Sequence, residues 1–204
     1  MEIIIANKSH SVYAQEISQT ISEAAKVRGT GIAMRTPEYL ISKMEKGNAV
    51  IALEGNTFAG FCYIESWGHG NFVANSGLIV CPEFRGQGLA KQIKKKVFEH
   101  SKQKFPHAKI FSITTGLAVM KLNSELGYKP VTFSELTDDQ SFWKGCQTCK
   151  NYDVLQRTEQ QMCLCTGMLY DPKVKNIRSK KIKEKVFKRM KEIKETLYLR
   201  KENK

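Results

Sequence analysis

The feature that most constrains this chain is a glycine-spaced turn, Arg85-Gly86-Gln87-Gly88-Leu89-Ala90. It lies between a strand-like run, Ser76 to Val80, and a helix-like run, Leu89 to His100. Glycines at a strand-to-helix turn let backbone N–H groups turn inward and come close to a phosphate. The helix that follows adds unpaired N–H groups and the positive end of its dipole. Together these make a cradle for a pyrophosphate. Ordinary tight turns use the same residues, so the turn needs its neighbours before it carries a function.

Those neighbours alternate between short strands and helices. Glu2 to Ala6 reads as a strand, and Ser9 to Arg28 as a helix with Val12, Ile17, Ile21 and Ala25 at its apolar positions. Arg28-Gly29-Thr30-Gly31 breaks that helix. Thr36-Pro37-Glu38 starts another, with Thr as N-cap, Pro in the first turn and an acid near the positive end, and Gly47 stops it. Ala49 to Leu53 and Thr57 to Trp67 flank Glu54-Gly55-Asn56 and read as a hairpin. After the turn at Gly68-His69-Gly70 a strand runs to Val80, and the helix Leu89 to Ser101 follows the Gly-rich turn. Lys109 to Thr114 is a strand, and Ala118 to Leu126 is a helix closed by Gly127. Val131 to Phe133 and Cys163 to Tyr170 read as the last strands, and Phe142 to Met162 as irregular. A meander followed by crossover helices predicts an α/β fold, with a mixed, mostly antiparallel central sheet flanked by helices.

Length suits one domain, 1–171, with a Cys-rich segment at 142–165, followed by a basic C-terminal helix at 172–204. The net charge of +13 is uneven. Lys173 to Lys204 carries 14 Lys and Arg against 4 Asp and Glu, and the rest of the chain 19 against 16. Any nucleic-acid argument therefore concerns the tail alone. Its apolar positions, Ile182, Val186, Met190, Ile193 and Leu197, fall on one helical stripe. That stripe suits docking on the folded domain or on a sister subunit in a homodimer, with the lysines in water. It lacks the aromatic platforms of a single-strand binder, although RNA or an acidic partner stays open as an alternative. Met1-Glu2-Ile3-Ile4-Ile5 is not a signal peptide, and no apolar run approaches the roughly 20 residues of a membrane span. The expectation is a cytoplasmic protein with no membrane partner.

The stretch Gly77 to Ala90 resembles the acyl-CoA signature of the GNAT (GCN5-related) N-acetyltransferases. Arg85, Gly88 and Ala90 fill the family's three fixed slots, and Val119 to Tyr128 resembles its helix ending in Leu-Gly-aromatic. The resemblance covers roughly 1–171. It implies acetyl-CoA or another acyl-CoA as co-substrate, with pyrophosphate on Arg85, Gly86, Gln87, Gly88, Leu89 and Ala90. It also implies pantetheine paired with the backbone of Leu78, Ile79 and Val80, where the fourth and fifth strands splay. A backbone N–H there could stabilise an oxyanion. Where many members carry a tyrosine that protonates the departing thiolate, this chain has Asn123. Asn cannot supply that proton, but it can donate a hydrogen bond to the CoA sulfur or pantetheine.

Transfer to an amine needs a group to take a proton, because a free amine is mostly protonated near neutral pH. Glu65, at the end of the third strand, is the first candidate and His69 the second. Each also suits a plain solvated role. Arg28 and Arg35 lie in the segment that lines the acceptor cleft in this fold, and either could hold a carboxylate bidentately. Several segments look like a subgroup linked to arginine biosynthesis whose members acylate the α-amine of glutamate. A different small amine, a polyamine or a protein N-terminus stays open. So does a non-catalytic acyl-CoA sensor or a nucleic-acid-associated module using the tail.

Cys146-Gln147-Thr148-Cys149 and Cys163-Leu164-Cys165 form two close pairs. Their spacing matches a structural Cys₄ zinc site. Free buried thiols and a disulfide are the alternatives, the last uncommon in the cytosol. Cys62 and Cys81 read as packing residues.

Overall fold

The structure, a computed structural model, describes residues 1–28 and 34–174. Strands β1 (Glu2–Ile5), β2 (Ala49–Glu54), β3 (Thr57–Trp67), β4 (Phe72–Val80), β5 (Lys109–Thr114), β6 (Lys129–Val131) and β7 (Thr166–Tyr170) form one sheet. Their order is β1-β2-β3-β4-β5-β7-β6. Every pairing is antiparallel except β4 with β5, which is parallel. This is the mixed, mostly antiparallel sheet flanked by helices that the sequence predicts. A parallel neighbour needs a crossover, and α3 (Leu89–Lys104) supplies it.

Helices α1 (Ala14–Arg28) and α2 (Pro37–Glu45) cover one face of the sheet, burying Ile17, Ile21, Leu40 and Met44 against Ile51, Phe61, Tyr63 and Ile79. Helix α3 covers the other, burying Leu89, Ile93, Val97 and Phe98 against Val50, Cys62, Ile64 and Tyr128. The alternation along β3 and β4 sorts these side chains, since neighbours on a strand face opposite ways. Thr36 caps α2 by accepting from the Tyr39 N–H, with Pro37 in its first turn.

The structure corrects several expected boundaries. The first helix begins as a 3₁₀ segment, Lys8–Tyr13, because Asn7 and His10 form a capping box there. Val12 is therefore 79% exposed rather than on the buried stripe. The segment expected to be irregular contains the short helices α5 (Gln140–Lys144) and α6 (Tyr152–Arg157), while α4 spans Leu117–Glu125. β6 lies two residues earlier than expected, and β7 begins only at Thr166, after both cysteines of the second pair. Phe142, Trp143 and Leu155 pack with Phe111, Phe133 and Leu169, giving this region its own core.

The chain divides into two units, Met1–Tyr170 and Asp171–Lys204. The expected Ile182–Leu197 stripe lies outside the described residues. Among the described residues no helix is long and apolar enough to cross a membrane.

Candidate active site

The Gly-rich turn adopts the geometry that its glycines permit. Gly86 and Gly88 sit at φ +79° and +78°, and Gly88 is the N-cap of α3. That left-handed conformation is costly for other residues. A Cβ at either glycine would meet nothing within 4 Å, so the space in front of the turn is open. Arg85 folds back, its Nε donating to the Val80 carbonyl at 3.0 Å. Gln87 is exposed and Leu89 is buried, anchoring the helix start. The turn borders a cavity of about 210 Å³ shared with Leu78, Val80, Ala118, Val119 and Leu122.

A larger cavity of about 840 Å³ opens beside it, where β4 and β5 part. The two strands pair only from Phe72↔Lys109 to Ala74↔Phe111. Beyond that point Asn75 to Ile79 on one side, and Ser112 to Thr115 on the other, line the cavity. The β3–β4 register shifts between Phe61 and Tyr63, opposite Gly77 and Leu78. Gly77 has φ +66°, and a Cβ there would lie 2.4 Å from Tyr63 Cε1. This bulge leaves backbone groups out of the ladder beside the fork.

The far end of the same cavity is polar. Arg35, Tyr39, Tyr63 and Glu65 line it. Arg35 Nε donates to the Tyr63 hydroxyl at 2.7 Å, and Lys43 Nζ lies 2.7 Å from Glu65 Oε1. Arg35 and Lys43 both stand over the Tyr39 ring, at 5.2 Å and 4.6 Å from its centroid. Burial works to lower the Arg35 pKa, but Tyr63, Tyr39 and Glu65 raise it further, and the net shift is upward. Burial pushes the Tyr39 and Tyr63 hydroxyls up, with Glu65 adding to both. Both phenols are therefore neutral.

The structure brings some expected residues together and separates others. Glu65 and Arg35 share the polar end, and Leu78 and Ile79 line the fork. Val80 lines the smaller cavity by the turn. His69 does not reach the site: it occupies an exposed turn at φ 55° and lies near Asp139. Asn123 is not brought there either. It is fully buried beneath α4, with Nδ2 3.6 Å from Met168 Sδ and Oδ1 without a partner. The reason is helical phase, which turns Ala118 and Val119 to the cavity and Asn123 inward. The Arg28 side chain lies outside the described residues.

The four clustered cysteines do converge, and all four line the cavity. The expected zinc centre finds no support, however. Among the described residues no group of three or more His, Cys, Asp or Glu side chains is placed to hold a metal. The Cys163 thiol donates to the Asn151 carbonyl at 3.8 Å, and Cys149 Sγ accepts from the Asn151 N–H at 3.5 Å. Burial first, and neighbouring thiols second, push Cys146 up to about 11 and Cys165 up to about 12.

Sequence reasoning missed Tyr39, Tyr63, Lys43 and Lys94. Lys94, on α3, is 1% exposed and lines the cavity at the fork. The available signal was its phase, since it shares a stripe with Val97, Phe98 and Ser101.

The pattern of the acetyltransferase (GNAT) family matches residues 18–127, more than half of the chain. The chain belongs to that family. Membership makes it an acyltransferase of the GNAT type. No curated protein matches it. Among solved structures, it is similar to N-acetylglutamate synthase from Neisseria gonorrhoeae complexed with coenzyme A and N-acetyl-glutamate. The TM-score is 0.59 at 13% identity, covering 83% of this chain and 34% of the synthase, so the chain spans about a third of that protein. It is also similar to a Mycobacterium tuberculosis protein in complex with CoA, with TM-score 0.58, 13% identity, and 84% and 99% of the two chains covered. The Salmonella typhimurium protein yncA, solved with its cofactor acetyl-CoA, gives 0.57 at 14% identity, covering 84% and 93%. At these identities the likeness speaks for the fold.

Proposed function

We propose that this GNAT protein transfers an acyl group from acyl-CoA to the amine of a small acidic amino acid, with the α-amine of glutamate as the leading acceptor. The observation that carries this reading is one continuous cavity. It runs from the splayed β4–β5 fork beside the Gly-rich turn to a polar end lined by Arg35, Tyr39, Tyr63 and Glu65. Pyrophosphate rests on the open N-terminus of α3, where unpaired N–H groups and the helix dipole favour an anion. Pantetheine lies along Leu78–Val80, and its thioester meets the Gly77 bulge. The acceptor enters over Arg35, whose fork suits a carboxylate.

The amine loses a proton to Glu65, the carboxylate lining the polar end, and its nitrogen attacks the thioester carbon. A tetrahedral oxyanion forms beside the bulge, where a backbone N–H can stabilise it. The C–S bond then breaks as the amide is completed. The second proton of the attacking nitrogen passes through water to the departing thiolate, whose thiol pKa of about 8.5 lets it accept one. Acylation of glutamate also accords with the similarity to the Neisseria gonorrhoeae N-acetylglutamate synthase.

Thiol release measured with a panel of amines, using acetyl-CoA and succinyl-CoA in parallel, tests the reading. Acidic amino acids should outpace neutral amino acids and polyamines. Acyl-CoA binding with no release for any amine would instead support a sensor.

A further inference from the structure

Lys94 is an unpaired cation at the closed end of the fork. It sits in the buried stripe of α3 with Ile93, Val97 and Phe98. Among the described residues no carboxylate and no hydrogen bond reaches its ammonium. Its contact is the face of Tyr128, 5.2 Å from Nζ to the ring centroid. Burial lowers its pKa from 10.5 to about 8, so at neutral pH it is still mostly charged.

Three observations fix where that charge lies. The Tyr128 hydroxyl under it donates to Asn75 Oδ1 at 2.9 Å. The Cys62 thiol, its electrostatic neighbour, donates to the Ser76 carbonyl at 3.3 Å. Lys94 itself lines the large cavity with Asn75, Ser76 and Ser112, the residues at which β4 and β5 part. An isolated buried charge is costly unless it is paired. Glu65 is the one carboxylate among the described lining residues, and Lys43 holds it at 2.7 Å. A carboxylate on a ligand in this cavity would pair that charge.

The proposed acyl transfer, on which this inference rests, says which part of the ligand arrives there. Five residues of β4 separate Val80 from Asn75, about 17 Å at the usual strand rise. An extended pantetheine arm from the Gly-rich turn covers the first three of those steps, about 10 Å. Its thioester then stops at the Gly77 bulge, and the acyl group continues toward the apex of the fork. An acetyl methyl would leave the ammonium unpaired. We propose that Lys94 is the counter-ion for a carboxylate at the far end of the acyl group, so that the donor is a dicarboxylic acyl-CoA such as succinyl-CoA.

Calorimetry without any amine tests this apart from turnover. Wild-type protein should bind succinyl-CoA about 10- to 100-fold tighter than acetyl-CoA, the range of a buried charge-assisted hydrogen bond. In Lys94→Met that ratio should fall to about one. Methionine is neutral and of similar length, so the variant sheds a buried charge and should fold, which a thermal melt checks. The ratio of kcat/KM for the two donors, read by thiol release, should fall in parallel. Equal wild-type affinities, or a ratio that survives in Lys94→Met, would overturn the proposal. So would an intact mass showing that Lys94 itself becomes acylated. A binding ratio that holds while no amine releases thiol would support Lys94 as counter-ion and reject the transfer reading instead.

Discussion

Lys43 reaches from α2 to place its ammonium 2.7 Å from Glu65 Oε1 at the end of β3. Neither side chain is more than 18% exposed. The pair ties the helix that covers the acceptor end to the carboxylate that faces the cavity. It also fixes where that carboxylate stands relative to Arg35 and Tyr39. Glu65→Gln keeps the shape and removes the base. It should lower kcat by about 100- to 10,000-fold, the usual contribution of a positioned general base, while acyl-CoA affinity stays measurable by calorimetry. A kcat within a few-fold of wild type would remove Glu65 from the proton path.

Arg35 spends its Nε on the Tyr63 hydroxyl and Nη1 on the Met34 carbonyl, at 2.7 and 2.9 Å. Arg35→Lys keeps a charge but loses the fork. The KM for glutamate should rise about tenfold, with a smaller change in kcat and little change for an uncharged amine. Initial rates across glutamate concentrations read this directly. Equal effects on both amines would mean that Arg35 acts on the fold rather than on a carboxylate.

Gly77 and Tyr63 are fitted to each other. Gly77→Ala would force a left-handed alanine and drive a Cβ to 2.4 Å from Tyr63 Cε1. Together these should cost about 2 to 4 kcal/mol in urea unfolding. The displaced ring would also release Arg35, so acceptor KM should rise with the loss of stability. An alanine variant as stable as wild type would show that the bulge tolerates a side chain.

Lys94 gives a pH signature. Its folded pKa of about 8 lies below the ordinary 10.5. Between those values the unfolded chain binds more protons, so stability rises with pH. The cost of the buried cation is fully present below about pH 8 and gone above about pH 10.5. Wild type should therefore gain on Lys94→Met by up to about 3 kcal/mol between about pH 7 and pH 10. Urea unfolding of both proteins at the two pH values measures the change. A difference that does not move with pH would contradict it.

Local signals made much of this molecule legible in the sequence. Glycines marked the turn at Arg85 to Ala90 because left-handed backbone demands them, and apolar runs bounded by turn residues located β3 and β5 to the residue. The residues that shape the cavity's chemistry were hidden for a tertiary reason. Tyr39, Tyr63 and Lys43 sit on separate elements and meet only when α2 packs on the sheet. Lys94 is masked by Lys91, Lys95 and Lys96, which make the helix look evenly basic, although only Lys94 among them faces inward. Asn123 shows the converse, since a motif position fixed its place on α4 but not which way the side chain turns. The cysteine spacing suggested a shared site, and the structure shows four thiols lining one cavity without a group placed to hold a metal among the described residues.

The most direct test of the account is to identify the product. Purified protein is incubated with glutamate and succinyl-CoA or acetyl-CoA, and the mixture is analysed by mass spectrometry alongside thiol release. The account predicts N-acylated glutamate in amounts matching the free thiol. Acyl-CoA that binds but yields no N-acylated glutamate, or thiol release that matches hydrolysis alone, would contradict it.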